Sequence, residues 1–358
     1  MQHTRPATLR RVIVQSFGVG ALFAGATVAL AVSAHNAMAQ APMRAATPAT
    51  TRANAVASTS YVPHRVYDSR KKRWIDFETL MQRANGMDLV FVGELHNDTP
   101  GHVMELAILE GIARRRGAEG GPVVVSLEMF ERDVQGEVDK YLSGEIDEAT
   151  FLSRSRPWPN YGADYRPLVE IARANKWPVV ASNVPRPLAA MVNRGGLTAL
   201  DTLNATARAQ HVATDISCPR DQYYKNFAGL MGDMSGHGAP AASAAISKDS
   251  ANALAASAAA AVFRMYQAQC IKDETMGESI ARALATARTR APGATVVHMN
   301  GSFHTDYALG TAERAKKRSD SANSMVITIV PTPNLDDVDA KALRKKADYL
   351  VFTVGKPQ

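Results

Sequence analysis

The sequence predicts an α/β fold with a mostly parallel or mixed central sheet, helices on both faces of the sheet, and an added helical insertion. Short apolar segments of strand length alternate along the chain with segments of helical periodicity, as they do in α/β proteins. The strand segments are continuously apolar, which is typical of strands that are covered on both faces. An alanine-rich segment at residues 232–261 interrupts this alternation and predicts the insertion.

The first 39 residues predict a signal peptide. Three arginines precede an apolar run at residues 12–34, and residues 37–39 offer a small-x-small cleavage site. The apolar run is also long enough to span a bilayer, so an uncleaved membrane anchor is the alternative. No cysteine lies near the cleavage site, which argues against a lipoprotein. We therefore expect an exported protein that is periplasmic or membrane-associated.

The rest of the chain predicts a linker and one domain. Residues 40–62 are rich in Ala, Thr and Pro and lack periodicity, which predicts a flexible linker. Residues 63–358 are predicted to form a single α/β domain. Within it, residues 232–261 change from a Gly/Pro/Ser-rich to an Ala-rich composition and predict a mobile segment that leads into a long helix.

The strands and the first long helix of this domain can be predicted individually. The best-defined helix spans residues 99–117, with Thr99 as the expected N-cap, Pro100 at the first helical position and Gly117 as the stop. Strands are predicted at residues 89–92, 123–127, 179–181, 295–299, 325–330 and 350–354.

Composition and charge indicate a globular protein that does not bind nucleic acid. The 358 residues carry a formal net charge of +7, with 46% hydrophobic and 21% charged residues, which are ordinary values for a globular chain. The basic residues form short runs at 70–73 and 314–318, without the interleaved aromatic side chains on which bases stack.

The two cysteines, Cys218 and Cys270, are expected to form a disulfide. Export would place them in an oxidising compartment, and the bond would close a loop of roughly fifty residues. Two buried free thiols are the alternative.

Four of the predicted strands end in residues with acid/base or metal-binding chemistry. In an open parallel sheet, ligands bind in the crevice outside the carboxyl ends of the strands. Glu94 and His96 are two residues apart in an extended segment, so they project to the same side. The residues that follow the four strands are Glu94 and His96, then Glu128, then Asn183 and Arg186, and finally Asn300, Gly301 and His304.

These residues predict a shared pocket. Glu94, His96, Glu128 and His304 are suited to bind a divalent metal ion or to transfer protons. In an enzyme, the histidines would bind metal or relay protons, one glutamate would activate water, and Arg186 could stabilise an oxyanion. The structural alternative is that these side chains cap helices or form a hydrogen-bond network of their own.

Five segments resemble those of a known family. They are, in order, "FVGELHND", "SLEMFERD", "RPWPNYGADYRPLVEIARANKWPVVASNVPR", "MYQAQCIKDETMGESIARAL" and "HMNGSFHTDYALG". This series is similar to the ChaN-like haem-binding uptake family of the Tiki superfamily, which also contains erythromycin-esterase-like and TraB-like proteins. The likeness covers roughly residues 63 to 331 without the alanine-rich insertion.

The resemblance implies an exported protein of bacterial iron metabolism that binds haem and dimerises around it. It also implies that the two Gly-x-x-His turns, at residues 93–96 and 301–304, and the intervening Glu128 descend from a pocket that serves metal-dependent hydrolysis in some relatives. Family members are often lipoproteins, and this chain departs from that pattern because no cysteine follows its predicted signal peptide.

A haem site needs an apolar slot, an axial ligand and cations for the propionates. We expect Tyr223, Tyr224 and His237 to contribute, because they lie in a segment where two subunits could enclose a flat ligand. The alternative for either tyrosine is packing in the core. Tyr165 and Trp158 are expected to be packing residues.

Three functions remain open from the sequence. The first is a haem-binding protein without catalysis of its own, and the second is a metal-assisted or acid/base hydrolase that uses the predicted pocket. The third is a protein whose pocket is structural and whose surface docks an outer-membrane haem receptor or a haem transporter.

Overall fold

The eight strands of the described chain form one mixed sheet. This computed structural model describes residues 61–119, 122–236 and 248–356. The predicted signal peptide and most of the predicted linker lie outside these residues, as does His237. The strands are β1 (His64–Asp68), β2 (Arg73–Ile75), β3 (Leu89–Glu94), β4 (Val123–Glu131), β5 (Val179–Asn183), β6 (Thr295–Gly301), β7 (Ser324–Thr332) and β8 (Tyr349–Val354).

The sheet confirms the predicted α/β fold. Its strand order is β2-β1-β8-β7-β3-β6-β4-β5. All pairs from β8 to β5 are parallel, and only β1 pairs in the antiparallel sense, with β2 and with β8. The six predicted strands correspond to β3 through β8. The hairpin of β1 and β2 was not predicted, because its short strands flank the basic run at residues 70–73 and lack a continuous apolar segment.

Helices cover both faces of the sheet. They are α1 (Phe77–Asn85), α2 (Thr99–Glu119), α3 (Gln135–Ser143), α4 (Glu148–Ser155), α5 (Arg166–Ala174), α6 (Arg186–Gly195), α7 (Ala205–His211), α8 (Gln222–Gly236), α9 (Lys248–Arg290), α10 (Gly310–Lys317) and α11 (Ala340–Leu343). Within the described part of the chain, no helix combines the length and apolar composition needed to cross a bilayer.

The central strand β3 shows why its sequence is apolar throughout. Val90 and Val92 belong to one core cluster, which includes residues of α2 and α5. Leu89 and Phe91 belong to a second cluster, which includes residues of α9 and α10. Side chains alternate between the two faces of a strand, so each face of β3 must be apolar to contact its own helical layer.

One detail of the predicted helices differs from the structure, and another agrees with it. Helix α2 begins at Thr99, and the side chain of Asp98 accepts a hydrogen bond from the backbone N–H of Gly101 at 3.1 Å. Asp98 therefore caps the helix where Thr99 was predicted to do so. Residues 232–236 belong to α8 and residues 248–261 belong to α9, which agrees with the predicted helical insertion, and residues 237–247 lie outside the described residues.

The predicted disulfide between Cys218 and Cys270 is confirmed. The two residues are separated by 52 positions, and their Cα atoms lie 5.8 Å apart. The bond joins the segment before α8 to the middle of α9, next to the residues that face the carboxyl edge of the sheet.

Candidate functional site

Three neighbouring strands bring the predicted site residues to one edge of the sheet. Glu94, the last residue of β3, is paired with Gly301 at the end of β6. On the other side of β6, Leu127 of β4 is paired with Met299, so Glu128 follows at the same level. The parallel register thus aligns the carboxyl ends of β3, β6 and β4, as the sequence predicted.

The first half of the site is a pair formed by Glu94 and His96. Nδ1 of His96 lies 2.5 Å from Oε1 of Glu94, and the hydroxyl of Tyr165 lies 3.4 Å from the same oxygen. The second carboxylate oxygen of Glu94 is buried and has no hydrogen-bond partner among the described residues. The imidazole of His96 remains 42% exposed and packs edge-on against Trp158.

The second half of the site is centred on the buried His304. Its Nδ1 lies 2.7 Å from Oδ1 of Asp273, and its Nε2 lies 3.3 Å from Oε1 of Glu128. The other oxygen of Glu128 accepts the backbone N–H of Gly301 at 2.8 Å. The other oxygen of Asp273 accepts the hydroxyl of Tyr223, also at 2.8 Å. His304 is therefore held between two carboxylates.

The charges of this network follow from its contacts. Burial alone would lower the pKa of His304, but the charges of Glu128 and Asp273 raise it to about 10. Burial would raise the pKa of Glu128, but the charge and hydrogen bond of His304 hold it well below its usual range. At neutral pH the pair is therefore an imidazolium and a carboxylate.

His96 shows a related shift. Burial acts to lower the pKa of His96, whereas the hydrogen bond to Glu94 and the charge of that carboxylate raise it above its ordinary value. Because Nδ1 is bonded to Glu94, Nε2 is the nitrogen left for a ligand. No hydrogen bond engages this atom within the described residues.

An open cleft of about 360 Å³ lies over the two pairs. Helix α8 contributes an apolar wall of Phe227, Leu230 and Met231, and α9 contributes Gln269 and Lys272. The floor consists of Glu94, His96, Glu128, Gly301 and His304, and the segments after β3 and β6 complete the rim. The cleft therefore has an apolar side and a strongly polar floor.

The structure brings together four of the predicted site residues, Glu94, His96, Glu128 and His304, but it places Arg186 elsewhere. The guanidinium of Arg186 hydrogen-bonds to the carboxylate of Glu131 and, at 2.8 Å, to the carbonyl of Arg156. Arg186 does not line the cleft. The predicted role in stabilising an oxyanion is therefore wrong, because this side chain is bound in a separate ion pair.

The predicted haem residues have different environments. Tyr223 is only 1% exposed, and its hydroxyl is hydrogen-bonded to Asp273. Tyr224 is partly buried, where it packs against Phe263 and Tyr266 of α9. Both tyrosines therefore follow the packing alternative, and neither lines the cleft. His237 lies outside the described residues, and its role stays a prediction.

The described residues do not provide the predicted divalent metal site. They include no group of three or more His, Cys, Asp and Glu side chains arranged to hold a metal ion. The reason is visible in the pairing, because both ring nitrogens of His304 face carboxylates and Nδ1 of His96 is bonded to Glu94. The four side chains are therefore engaged with one another in pairs.

Sequence reasoning missed two residues of the site. Asp273 and Lys272 lie within α9, so they do not follow a strand and were not noticed as strand-end residues. The available signal was the segment "QCIKDET", where three consecutive charged residues, Lys272, Asp273 and Glu274, interrupt the helical sequence.

The fold and the site define an α/β protein with an open cleft at the carboxyl edge of its sheet. The family model for haem-binding uptake proteins of the Tiki superfamily, ChaN, matches residues 80–315. The chain therefore belongs to this family. No curated protein matches the sequence.

Two solved structures resemble the chain. The structure of ChaN of Campylobacter jejuni, which shows cofacial heme binding, is 16% identical, with a TM-score of 0.58, and the match covers 82% of this chain and 97% of that one. This likeness supports the fold. A mutant of the erythromycin esterase EreC in its open conformation is 10% identical, with a TM-score of 0.41, and the match covers 82% of this chain and 83% of that one.

Proposed function

We propose that this protein is an exported haem-binding protein of bacterial haem and iron uptake, which binds haem at the cleft and dimerises around it. Membership of the haem-binding uptake family supports haem as the ligand. The observation that carries the proposal is the arrangement of His96, whose Nδ1 is bonded to Glu94 while Nε2 remains for a ligand. Histidines that ligate metals commonly donate their second nitrogen to a carboxylate in this way.

The cleft has the surfaces that a porphyrin needs. Phe227, Leu230 and Met231 line the same cleft as His96, and a haem-binding pocket combines an apolar slot with an axial ligand. Bound haem would supply the iron to which His96 coordinates. The protein would orient the porphyrin and cover one of its faces.

Dimerisation is proposed from the size of the cleft. Its volume of about 360 Å³ is at the low end of the range for small-molecule pockets. Leu230 at its rim is 46% exposed. A porphyrin would therefore project from the cleft, and a second copy of the chain would cover the projecting apolar surface.

Titration of the purified protein with ferric haem tests the proposal. We expect a shifted Soret band and a change from monomeric to dimeric mass with haem. His96→Ala should lose the spectrum of the ligated iron, whereas His64→Ala should keep it, because His64 on β1 is outside the cleft and bonds to the carbonyl of Val62. The absence of binding at micromolar haem would overturn the proposed function, and an unchanged spectrum in His96→Ala would overturn the assigned ligand.

Export is part of the proposal and has separate support. The predicted signal peptide and the disulfide between Cys218 and Cys270 both fit an oxidising compartment. Cell fractionation with N-terminal sequencing tests this, and a cytoplasmic protein with an intact N-terminus would contradict it. In such a compartment an outer-membrane haem receptor or a haem transporter would be the partner, which crosslinking in haem-fed cells would identify.

A second candidate function is acid/base hydrolysis. It is favoured by Glu94, which orients His96 and has an unpaired buried oxygen that could accept a hydrogen bond from a substrate or from water. In this reaction His96 would take a proton from water. Hydrolysis of p-nitrophenyl acetate by the unsubstituted protein that is lost in Glu94→Gln would support this function. Equal rates of hydrolysis in the unsubstituted protein and in Glu94→Gln would contradict it.

A further inference from the structure

Lys272 is the single side chain that reaches the surface from an otherwise buried segment of α9. Every other residue from position 270 to position 281 is buried, and Lys272 is partly exposed. It lines the cleft together with Gln269, one turn earlier on the same helix. The helix thus presents one long cationic side chain to the cleft, while the residues beside Lys272 in the helix are buried.

The ammonium group of Lys272 has no ion-pair partner within the described residues. The two carboxylates of the cleft are already paired, Glu94 with His96 and Glu128 with His304. Behind them, Asp273 accepts hydrogen bonds from His304, Tyr223 and Thr311. The positive charge of Lys272 acts on Glu128 and helps to lower the pKa of that carboxyl, but the two groups form no ion pair. A cation is therefore available at the rim of the cleft.

The position of this cation relative to the apolar wall limits the kind of ligand that would use it. The same cleft is lined by Lys272 from α9 and by the apolar side chains of Phe227, Leu230 and Met231 from α8. A ligand that contacts both the cation and the apolar side chains must have an apolar body and an anionic end. A small inorganic anion would leave the wall unused, and a neutral apolar molecule would leave the ammonium unpaired.

We propose that Lys272 binds a carboxylate of the ligand and that the cleft selects apolar ligands that carry a carboxylate. The inference rests on the proposed function, in which the ligand is haem and the carboxylate is a propionate. Lysine binds such a group as a mobile point charge with three donors, which suits a ligand that is held mainly by its apolar body and its iron. Lys272 is thus a residue that determines specificity.

The experiment compares ferric haem with ferric haem dimethyl ester, whose propionates are neutral, both delivered in the same detergent micelles. Lys272→Ala should weaken haem binding about tenfold, as expected for a lost charge-assisted hydrogen bond. It should leave the affinity for the dimethyl ester unchanged. Lys272→Arg should restore most of the affinity for haem, because it restores the charge.

Lys225→Ala is the matched control. Lys225 is exposed on α8 and does not line the cleft, so its removal changes the overall charge equally without changing the site. If the unsubstituted protein binds neither porphyrin, the proposed function fails. If it binds haem and Lys272→Ala binds haem equally well, or loses affinity for both porphyrins alike, the proposed role of Lys272 fails while haem binding stands.

Discussion

Gly301 lies directly against the imidazole of His96. A β-carbon at position 301 would come within 2.6 Å of Cε1 and 2.9 Å of Nε2 of that ring. The glycine is therefore required for the position of the histidine, and its own backbone N–H also binds Glu128. The floor of the cleft is built around this close approach.

Gly301→Ala should push the ring of His96 away from Glu94. We expect haem affinity to fall about tenfold or more and the free energy of unfolding to fall by about 1–3 kcal/mol, as in other overpacked sites. Haem titration and urea unfolding measure the two effects. Gly136→Ala is the control, because a β-carbon at that helical position meets nothing within 4 Å. Equal haem affinity in Gly301→Ala would show that the ring position does not matter for binding.

A substitution of Tyr223 can distinguish whether this tyrosine ligates haem or stabilises the core. Its buried hydroxyl donates to Asp273, which in turn binds His304. Tyr223→Phe should therefore lower the free energy of unfolding by about 1–3 kcal/mol, since it leaves a buried acceptor short of one donor. It should leave the absorption spectrum of the haem complex unchanged. Loss of the iron–ligand bands in Tyr223→Phe would favour the ligand role that the sequence predicted.

The strands and the shared pocket could be predicted because their signals are local. An apolar run followed by "GELH" or "NGSFH" identifies both a buried parallel strand and the residues at its carboxyl end. Asp273 and Lys272 could not be found in this way, because they reach the site from the middle of a 43-residue helix. Arg186 comes just after β5 and Glu94 ends β3, but β5 lies at one edge of the sheet, whereas β3 is an interior strand. Its distance from the cleft depends on strand order, which the sequence did not supply.

The environment of the tyrosines also depends on tertiary packing. Tyr223 and Tyr224 are adjacent on α8, and both pack near Tyr266, but their other neighbours differ. Tyr223 contacts Asp273 and Phe303, whereas Tyr224 packs on Phe263. The sequence of two adjacent tyrosines does not show whether either is a haem ligand or a packing residue. The position of helix α9 is needed to decide this.

The disulfide should contribute substantially to stability. Joining residues that are 52 positions apart removes conformational entropy from the unfolded chain, which is worth about 3–4 kcal/mol for a loop of this length. Replacing both Cys218 and Cys270 with serine should lower the free energy of unfolding by about that amount. Dithiothreitol should destabilise the unsubstituted protein similarly and leave the serine variant unaffected. Equal stability with and without reductant would contradict the prediction.

The stability of the protein should fall at alkaline pH because of His304. Burial opposes its charge, but Glu128 and Asp273 raise its pKa from the ordinary value of 6.5 to about 10. The folded state therefore holds this proton more tightly than the unfolded state does. The resulting stabilisation is complete below the unfolded pKa and is lost as the pH rises towards the folded pKa.

His304→Gln isolates this effect, because glutamine does not titrate. We expect the difference in unfolding free energy between the unsubstituted protein and His304→Gln to shrink by about 1–3 kcal/mol between pH 6 and pH 9.5, since each unit of pKa shift corresponds to about 1.4 kcal/mol. Urea unfolding at several pH values measures it. His102 also titrates in this range: burial opposes its charge, but Glu105 raises its pKa to about 9. Because both proteins contain His102, the subtraction removes its contribution. A difference that stays constant over this range would mean that the folded and unfolded proteins bind the proton of His304 equally, so that Glu128 and Asp273 do not raise its pKa.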